Sequence, residues 1–449
     1  MRNLKYIIVV VLCVAMVLSF SMIGCKATTS STTVAATTAE TTVETAAETT
    51  AAVTTAAISG KLEIFSWWTA GGEAEGLAAL IKIFEDKFPD VELINATVAG
   101  GAGVNAKPIL TTRMTGGDPP ESFQILAGHA LVDTWGTAGV LEPVNFIFEE
   151  EGWLEKYPDD MINILSMGNE ILSVPVNVHR TNIVWYNKAI FEEFGIEPPT
   201  TFDEFFTVAE KLKNEGIIPL ALGDSYIVEA LTVLENVFLG ILGPDGYKGL
   251  FDGTTKWDSD KAKEAIATFV KMLDYVNEDH AAIVDVDAAQ YVIDGTAAMT
   301  ISGDWQDGYF KSKGLTPNKE FGYVPSPNTS GSFNALSDTF CLPKNVKNRP
   351  AAIEWLKVCG SKEGQDAFNP LKGSIPARND PDVSLFDEYL KFSIEEYGKD
   401  IITPSMAGGA AVSEAWLTDI NDIVTMLVAN KNIEAAASSF QAAADNNLK

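Results

Sequence analysis

The chain has 449 residues, of which 46% are hydrophobic and 10% aromatic, and its formal net charge is −29. A single hydrophobic core stops growing at about 250 to 300 residues, so we expect two or three lobes. Asp and Glu number 61 against 32 Lys and Arg, and such an excess of negative charge is repelled by phosphate backbones and anionic lipid surfaces. The composition therefore argues against a nucleic-acid-binding protein.

The first 24 residues have the pattern of a secretory signal peptide. A positively charged start precedes an apolar run over residues 6–22, and small residues lead to Cys25. The sequence Met22-Ile23-Gly24-Cys25 resembles a bacterial lipobox, whose cysteine becomes residue one and receives diacylglycerol. The alternative is a permanent transmembrane anchor, but about 17 apolar residues barely span a bilayer. We therefore predict a signal peptide over 1–24, lipidation at Cys25 and a location at the outer face of the bacterial cytoplasmic membrane.

A Thr/Ala-rich segment follows over residues 25–59. Between Lys26 and Ala57 it contains no Gly, Pro or aromatic residue, so it lacks the large side chains that pack a core and predicts a disordered tether. About 30 residues of such a chain have a root-mean-square reach of roughly 30 Å.

The sequence after the tether predicts alternating strands and helices. The predicted strands cover 61–68, 91–98, 122–126 and 218–222, and the predicted helices cover 75–88, 201–214, 260–276 and 350–359. Strand, helix and strand in succession indicate parallel pairing with helical crossovers, and hence an open α/β fold. Ligands of such sheets bind at the carboxyl ends of the strands, where Trp67, Trp68 and Gln124 fall. The region after Asn379 predicts mainly helix.

Catalytic and cofactor motifs are missing from the sequence. The chain has three histidines and no HExxH, GxSxG or Walker pattern, and we predict neither a cofactor nor a metal. The glycine-rich run 100–103 suits a tight turn beside a pocket better than a phosphate cradle. Asp285 and Asp287 begin like a calcium loop without its later ligands, so a solvated acidic loop explains them better. A glycoside hydrolase with paired carboxylates stays open, because two acids need only be adjacent in space.

Two cysteines lie in the folded body. Cys341 and Cys359 form neither a CxxC pair nor a metal cluster. An export compartment permits a disulfide between them, but each lies in an apolar run, which favours two buried thiols. The sequence leaves both possibilities open.

Seven ordered segments resemble a known family. They are KLEIFSWW at 61–68, INATVAGGAGVNA at 94–106, TRMTGGDPP at 112–120, SVPVNVHRTNIVWYNK at 173–188, GDW at 303–305, LSDTFCLPK at 336–344 and GSKEGQDAFNPLKGSI at 360–375. Together they resemble the extracellular solute-binding proteins of ABC sugar importers (family 1), most closely the bacterial glucose/mannose-binding subgroup. The resemblance spans nearly the whole chain after the tether.

The resemblance implies a periplasmic-binding-protein-like fold, with two α/β lobes joined by hinge strands and a sugar clamped in the cleft between them. It implies an N-terminal lobe over 60–177, a C-terminal lobe over 178–335, a return to the N-terminal lobe over 336–373 and a helical remainder over 374–449. The crossings fall near 176–178, 334–337 and 373–375.

The implied protein is a monomeric, non-catalytic receptor that delivers a mono- or disaccharide to an ABC permease after hinge closure. A binding protein for another neutral solute, such as a polyol or a peptide, is the alternative. A carbohydrate-active enzyme is a more distant one.

The sugar itself suggests which residues would bind it, since a pyranose has apolar C–H faces and a rim of hydroxyls. Trp67 and Trp68 project to opposite sides of a strand, so only one is expected to stack on the ligand. The resemblance favours Trp68. Glu73 and Gln124 match polar ligand contacts of the subgroup.

Further contacts are implied in the second half of the chain. Asp304 and Lys372 match two polar ligand contacts, and we expect them to pair with each other in a dry cleft. His179 lies beside the first crossing and is a candidate ligand contact. Trp305 is either a second stacking wall or a packing residue.

Two positions depart from the glucose-binding pattern. Leu126 stands where the subgroup has one histidine, and Gly408 aligns with another. A site that pairs a hydroxyl discriminates strongly for it, so losing two hydrogen-bonding rings predicts a changed sugar preference.

Overall fold

The computed structural model describes residues 58–99, 103 and 105–448. The predicted signal peptide, the lipidation site at Cys25 and nearly all of the tether lie outside the described residues. Within the described part, the chain folds as a mixed α/β body.

The strands are, in chain order, β1 (Gly60–Ser66), β2 (Val91–Thr97), β3 (Ser122–Leu126), β4 (Ser166–Met167), β5 (Glu170–Ile171), β6 (Ser173–Pro175), β7 (His179–Arg180), β8 (Ile183–Asn187), β9 (Ile218–Ala221), β10 (Ala297–Ser302), β11 (Phe321–Pro325), β12 (Ser332–Leu336), β13 (Asp338–Cys341) and β14 (Ile401–Pro404).

The α-helices are α1 (Gly71–Lys87), α2 (Ala106–Thr115), α3 (Asn145–Glu150), α4 (Asp159–Ile164), α5 (Lys188–Phe194), α6 (Phe202–Asn214), α7 (Val228–Asp252), α8 (Asp260–Met272), α9 (Asp285–Ile293), α10 (Trp305–Ser312), α11 (Arg349–Gly360), α12 (Lys362–Lys372), α13 (Glu388–Tyr397), α14 (Glu414–Asn430) and α15 (Ile433–Asn447). A π-helical segment covers Ala130–Gly136, and four short 3₁₀ turns cover Trp153–Glu155, Leu273–Tyr275, His280–Ala282 and Val383–Leu385.

The first lobe is built on a five-stranded sheet with the strand order β2-β1-β3-β13-β6. β1 pairs in parallel with β2 and β3, while β13 runs antiparallel to β3 and places Asp338 opposite Leu126. The antiparallel return puts the start of β13 beside the end of β3. Side chains from 338 and from 126 therefore meet at one edge of the sheet.

The second lobe is built on a four-stranded sheet with the order β11-β8-β10-β9. Successive side chains of a strand point to opposite faces, and β8 shows this clearly. Val184 packs into the core that contains α7, α8, α14 and α15, whereas Trp185 packs into the core that continues toward the first lobe. Both faces of the second sheet are thus buried.

Short segments connect the lobes. β6 belongs to the first sheet, whereas β7 belongs to a three-stranded sheet of order β14-β12-β7, and β12 is followed by β13 in the first sheet. Val178 and Ile375 exchange two backbone hydrogen bonds of 2.7 and 3.1 Å. The observed topology is two α/β lobes joined by connecting strands, as the resemblance implies.

Local sequence explains several element ends. Thr201 and Glu204 form a capping box at the start of α6, and α7 is interrupted at Gly243, with φ of 68°, ahead of Pro244. The region after Asn379 is mainly helical, as predicted, and also contains one short strand, β14, which pairs in parallel with β12.

The cysteines of the body are two buried free thiols at 341 and 359. Burial raises the pKa of both thiols well above the ordinary value. None of the helices in the described part of the chain is both long and apolar enough to cross a membrane.

Candidate functional site

A cavity of about 180 Å³ lies where the first sheet, the connecting strands and the second lobe meet. Five of the predicted site residues line it: Trp67, Glu73, His179, Trp305 and Lys372. The remaining three, Trp68, Gln124 and Asp304, do not line it and are almost completely buried. The cavity also has lining residues that the sequence analysis did not select.

Trp67, and not Trp68, presents an indole to the cavity. Trp68 is 1% exposed and packs its ring against Phe340 and Phe368, with ring centroids 5.9 and 4.8 Å away. The sequence-based preference for Trp68 is corrected here, because strand alternation sends its side chain into the lobe. The indole of Trp67 is backed by Gly103, where an added Cβ would lie 2.8 Å from the ring.

An ion pair forms one side of the cavity. Lys372 Nζ lies 2.9 Å from Glu73 Oε1, and the lysine side chain is 3% exposed. The two residues meet because the start of α1 packs closely on the end of α12. At Gly72 an added Cβ would lie 2.1 Å from the carbonyl oxygen of Leu371. Burial lowers the pKa of Lys372, but Glu73 and Asp338 outweigh it and raise the pKa overall.

The expected Asp304–Lys372 pair is replaced by a pair between His179 and Asp304. His179 Nδ1 donates to Asp304 Oδ1, and the other carboxylate oxygen accepts from the backbone N–H of Arg180 at 3.0 Å. Asp304 therefore stands behind the imidazole and fixes its orientation. Burial lowers the pKa of His179, but the carboxylates of Asp304 and Asp338 outweigh it, so the pKa is raised overall.

Asp338 joins the cavity to the connecting segments. Its carboxylate accepts from Gln124 Nε2 at 2.8 Å and from Asn177 Nδ2 at 3.0 Å, and lies 3.4 Å from His179 Nε2. Burial raises its pKa, but His179, Lys372 and Asn177 together lower it below the ordinary value. The sequence analysis missed Asp338 as a site residue, although the segment LSDTF contains it. The available signal was a polar residue at the start of an apolar strand.

Gln124 supports the wall from behind. Its Oε1 accepts from the backbone N–H of Trp67 at 3.1 Å while its Nε2 donates to Asp338. The residue is 1% exposed. Gln124 therefore positions Trp67 and Asp338 relative to each other.

The second lobe contributes several lining residues that sequence reasoning did not place in the site, among them Tyr226, Glu229 and Asp285. Tyr226 is 64% exposed, and the next residue, Ile227, has φ of 61°. A positive φ is strained for a β-branched residue. Asp285 starts α9, and so the solvated acidic loop predicted there is corrected to a helix start on the cavity wall.

The two departures from the subgroup pattern both fall on the cavity. Leu126 and Gly408 line it together with Val228, Leu336 and Ala407, which makes this part of the wall apolar. The buried carboxylate of Glu235 accepts from the backbone N–H groups of residues 406 and 407 at 2.7 and 3.0 Å and holds the loop that carries Gly408. This side offers few hydrogen-bonding side chains to a ligand.

The site combines a flat aromatic face, an ion pair, an oriented imidazole and several carboxyl groups. Such a set can bind a polyhydroxylated ring through charge-assisted hydrogen bonds. Within the described residues, no group of three or more His, Cys, Asp or Glu side chains is placed to hold a metal ion.

Comparisons with known proteins agree with this architecture. Residues 63–366 match the family model described as bacterial extracellular solute-binding protein. An uncharacterized ABC transporter extracellular-binding protein of Pyrococcus horikoshii is 40% identical over 384 residues, which cover 85% of this chain and 86% of that protein. A probable sugar-binding periplasmic protein of Brucella suis is 33% identical over 371 residues, covering 81% and 87%.

Solved structures share the fold. The bacterial solute receptor AcbH, described as having an exclusive preference for β-D-galactopyranose, superimposes with a TM-score of 0.78 at 20% identity, covering 87% of this chain and all of that one. A chitin oligosaccharide binding protein superimposes with a TM-score of 0.76 at 21% identity, covering 87% and 99%. The chain therefore belongs to the bacterial extracellular solute-binding proteins, which are binding proteins and not enzymes.

Proposed function

We propose that this protein is the extracellular sugar receptor of an ABC importer, which captures a small sugar by hinge closure and delivers it to the permease. The observation that carries the proposal is one cavity in which the Trp67 indole shares the wall with the buried groups His179, Asp338 and Lys372. An indole face suits the C–H face of a sugar ring, and charged groups bind hydroxyls more strongly than neutral ones do.

The charges of the cavity favour a ligand without negative charge. Four carboxyl groups line it, those of Glu73, Glu229, Asp285 and Asp338, against the basic side chains of Lys372 and His179. A sugar acid or sugar phosphate would meet net repulsion in this low-dielectric space. Gln124 and Asp304 act as positioning residues behind the wall, and Trp305 adds a second aromatic side chain to it.

The size and polarity of the cavity favour one sugar ring. A cavity of roughly 150 Å³ holds a benzene molecule, and this one measures about 180 Å³. Leu126 and Gly408 leave one wall apolar, so we infer a preference that differs from the glucose-binding subgroup. A monosaccharide that presents C–H groups to that wall fits best.

In the proposed closure, the two lobes predicted from the sequence rotate toward each other about the predicted crossings. The lobes cover 60–177 and 178–335, with a return over 336–373 and a remainder over 374–449. The separate sheets of β6 and β7, and of β12 and β13, support these boundaries. A ligand drives closure only through contacts it gains in the closed state.

The receptor is further proposed to be a monomer anchored to the outer face of the cytoplasmic membrane. The support is the signal peptide pattern over 1–24, the lipobox ending at Cys25 and the Thr/Ala-rich stretch over 25–59. Two or more acyl chains hold a protein stably at a membrane, whereas one holds it only marginally.

A sugar panel tests the function. We expect a neutral monosaccharide to raise the melting temperature by roughly 3 °C at a concentration of about one hundred times a micromolar Kd. D-glucuronate is expected to leave the melting temperature unchanged because of the carboxyl excess. Differential scanning fluorimetry with aldohexoses, pentoses, disaccharides, polyols and uronates measures both.

Trp67→Ala is the matched variant, since it removes the indole face and is expected to abolish the sugar-induced shift. A flat response of the wild type across all mono- and oligosaccharides contradicts sugar binding. A shift with polyols alone assigns the receptor to another neutral solute.

The anchor is tested separately. Cys25→Ala is expected to move the mature protein from the membrane fraction to the soluble fraction of a bacterial host, because the acyl acceptor is lost. Detergent-phase partitioning and mass spectrometry of the N-terminus measure the change. Cys359→Ala, which leaves the lipobox intact, is the control and is expected to stay in the membrane fraction.

A further inference from the structure

Two carboxyl groups enter the cavity from the second lobe. Glu229 lies in the first turn of α7 and is 8% exposed, and Asp285 is the first residue of α9 and half-buried. The two basic side chains of the cavity lining are paired elsewhere, since Lys372 lies against Glu73 and His179 against Asp304. The two carboxyl groups therefore face the cavity without a described cation beside them.

A buried and a half-buried carboxylate that line one cavity without a described cation beside them are unfavourable when both are charged. Burial, and then the charge of Asp285, raises the pKa of Glu229 well above its ordinary value. Burial raises the pKa of Asp285 as well, and the charge of Glu73 adds to the effect. The helix N-termini offset part of this cost. The favourable state of the pair is one carboxyl and one carboxylate, which titrate as a unit.

We propose that Glu229 and Asp285 act as one proton-sharing pair that binds two adjacent hydroxyl groups of the sugar. The protonated carboxyl donates to one hydroxyl oxygen, and the carboxylate accepts from the neighbouring O–H. Each hydroxyl can donate and accept, so a vicinal diol matches the pair and a deoxy sugar lacking either hydroxyl does not. This inference rests on the proposed sugar-binding function.

The described charged groups around the pair do not supply a positive charge that could replace the shared proton. Glu73 faces Asp285 from α1 with its partner Lys372 from α12, Glu235 lies further along α7, and Asp287 lies on α9. The hydroxyl of Ser302, at the end of β10, donates to Glu229. Rising pH therefore removes the shared proton and leaves two carboxylates and no donor.

Isothermal titration of the wild type with D-glucose, D-galactose and D-xylose between about pH 5 and pH 9 tests the pair. We expect the affinity for the bound sugar to fall by about tenfold for each pH unit above the pKa of the pair. Glu229→Gln provides a permanent donor and is expected to bind more weakly at low pH with no such slope. Asp287→Asn, on the same helix as Asp285 but outside the cavity, is expected to keep the wild-type slope.

Three results overturn the proposal. The first is a wild-type affinity that does not change with pH, and the second is a Glu229→Gln variant that keeps the slope. The third is D-glucosamine binding more tightly than D-glucose, increasingly so as the pH rises, because the pair would then be a doubly charged site for an ammonium group.

A sugar-free measurement keeps the inference distinct from the proposed function. A carboxyl whose folded pKa is raised stabilises the fold relative to high pH, and this stability is lost as pH rises through the folded pKa. The melting temperature of Glu229→Gln, relative to that of the wild type at the same pH, is therefore expected to rise as pH increases. If no sugar binds but this gain appears, the sugar function fails and the shared proton stands. If sugar binds and the gain is absent, the pair fails and the function stands.

Discussion

Asp304→Ala is expected to weaken sugar binding by at least about 30-fold while leaving the protein folded. The carboxylate holds the Nδ1–H of His179 and the backbone N–H of Arg180, and its removal frees the imidazole to rotate. Truncating one partner of a buried, hydrogen-bonded charge pair costs about 2 kcal/mol or more in binding, and 1.4 kcal/mol is tenfold. Isothermal titration with the sugar found by the panel measures the loss, and circular dichroism checks the fold.

A matched control exists on the surface. Asp133 accepts from His129 Nδ1 at 2.8 Å, but both side chains are exposed and neither lines the cavity. Asp133→Ala therefore breaks a similar histidine–carboxylate pair and is expected to leave the affinity unchanged. Equal affinities for Asp304→Ala and the wild type contradict the role of Asp304 in positioning His179.

Arg180→Met is expected to destabilise the fold by about 3 to 5 kcal/mol, or roughly 4 to 6 °C in melting temperature for a folded body of this size. The guanidinium is 0% exposed and lies 3.7 Å from Glu396 and 3.6 Å from Asp400. It also packs over the rings of Phe333 and Phe392 at 5.0 and 5.5 Å. Methionine keeps much of the volume but leaves the acids without their buried partner. Urea denaturation measures the change.

Arg113→Met is the comparison for that effect. Arg113 donates to both carboxylate oxygens of Glu63 at 2.6 and 2.7 Å, but the two side chains are 23% and 25% exposed. Partial exposure lets water replace the lost bonds, so we expect a loss of about 1 kcal/mol or less. Comparable losses for the two variants would mean that burial does not set the strength of the Arg180 pairs.

Local sequence predicts the fold well where the pattern is local. The alternation over 61–68 and the helical patterns over 75–88 and 201–214 each place the element ends within a few residues of those observed. β14 was not predicted because it has only four residues, three of them at least partly exposed, and so shows no hydrophobic periodicity. Its strand character comes from pairing with β12, which is distant in sequence.

The site was predictable only in part. Position at a strand end selected Trp67, position beside the first implied crossing selected His179, and the family pattern selected Glu73 and Lys372. All four line the cavity. Neither argument could determine which of two adjacent tryptophans faces the cavity, since alternation fixes only that they face opposite ways. The direction depends on Phe340 and Phe368, which come from distant segments.

The two second-lobe carboxyl groups, Glu229 and Asp285, were not predicted as site residues for a different reason. Glu229 lies in the first turn of an apolar helix, and Asp285 lies in an acidic stretch that is typical of a solvated loop. Nothing in the local pattern brings the starts of α7 and α9 together at a cavity. Only the tertiary arrangement of the four-stranded sheet does so.

One chain of hydrogen bonds runs from Trp67 through Gln124 and Asp338 to Asn177, which precedes the bridge between Val178 and Ile375. The proposed ligand-contacting groups at this end are thus linked by hydrogen bonds to the proposed crossing at Val178 and Ile375, and a substitution among them is expected to affect both sugar binding and lobe closure. The apolar wall at Leu126 and Gly408 has no part in that chain. Substitutions in this apolar wall are therefore expected to change the sugar preference without disturbing the hydrogen bonds that lead to the proposed crossing.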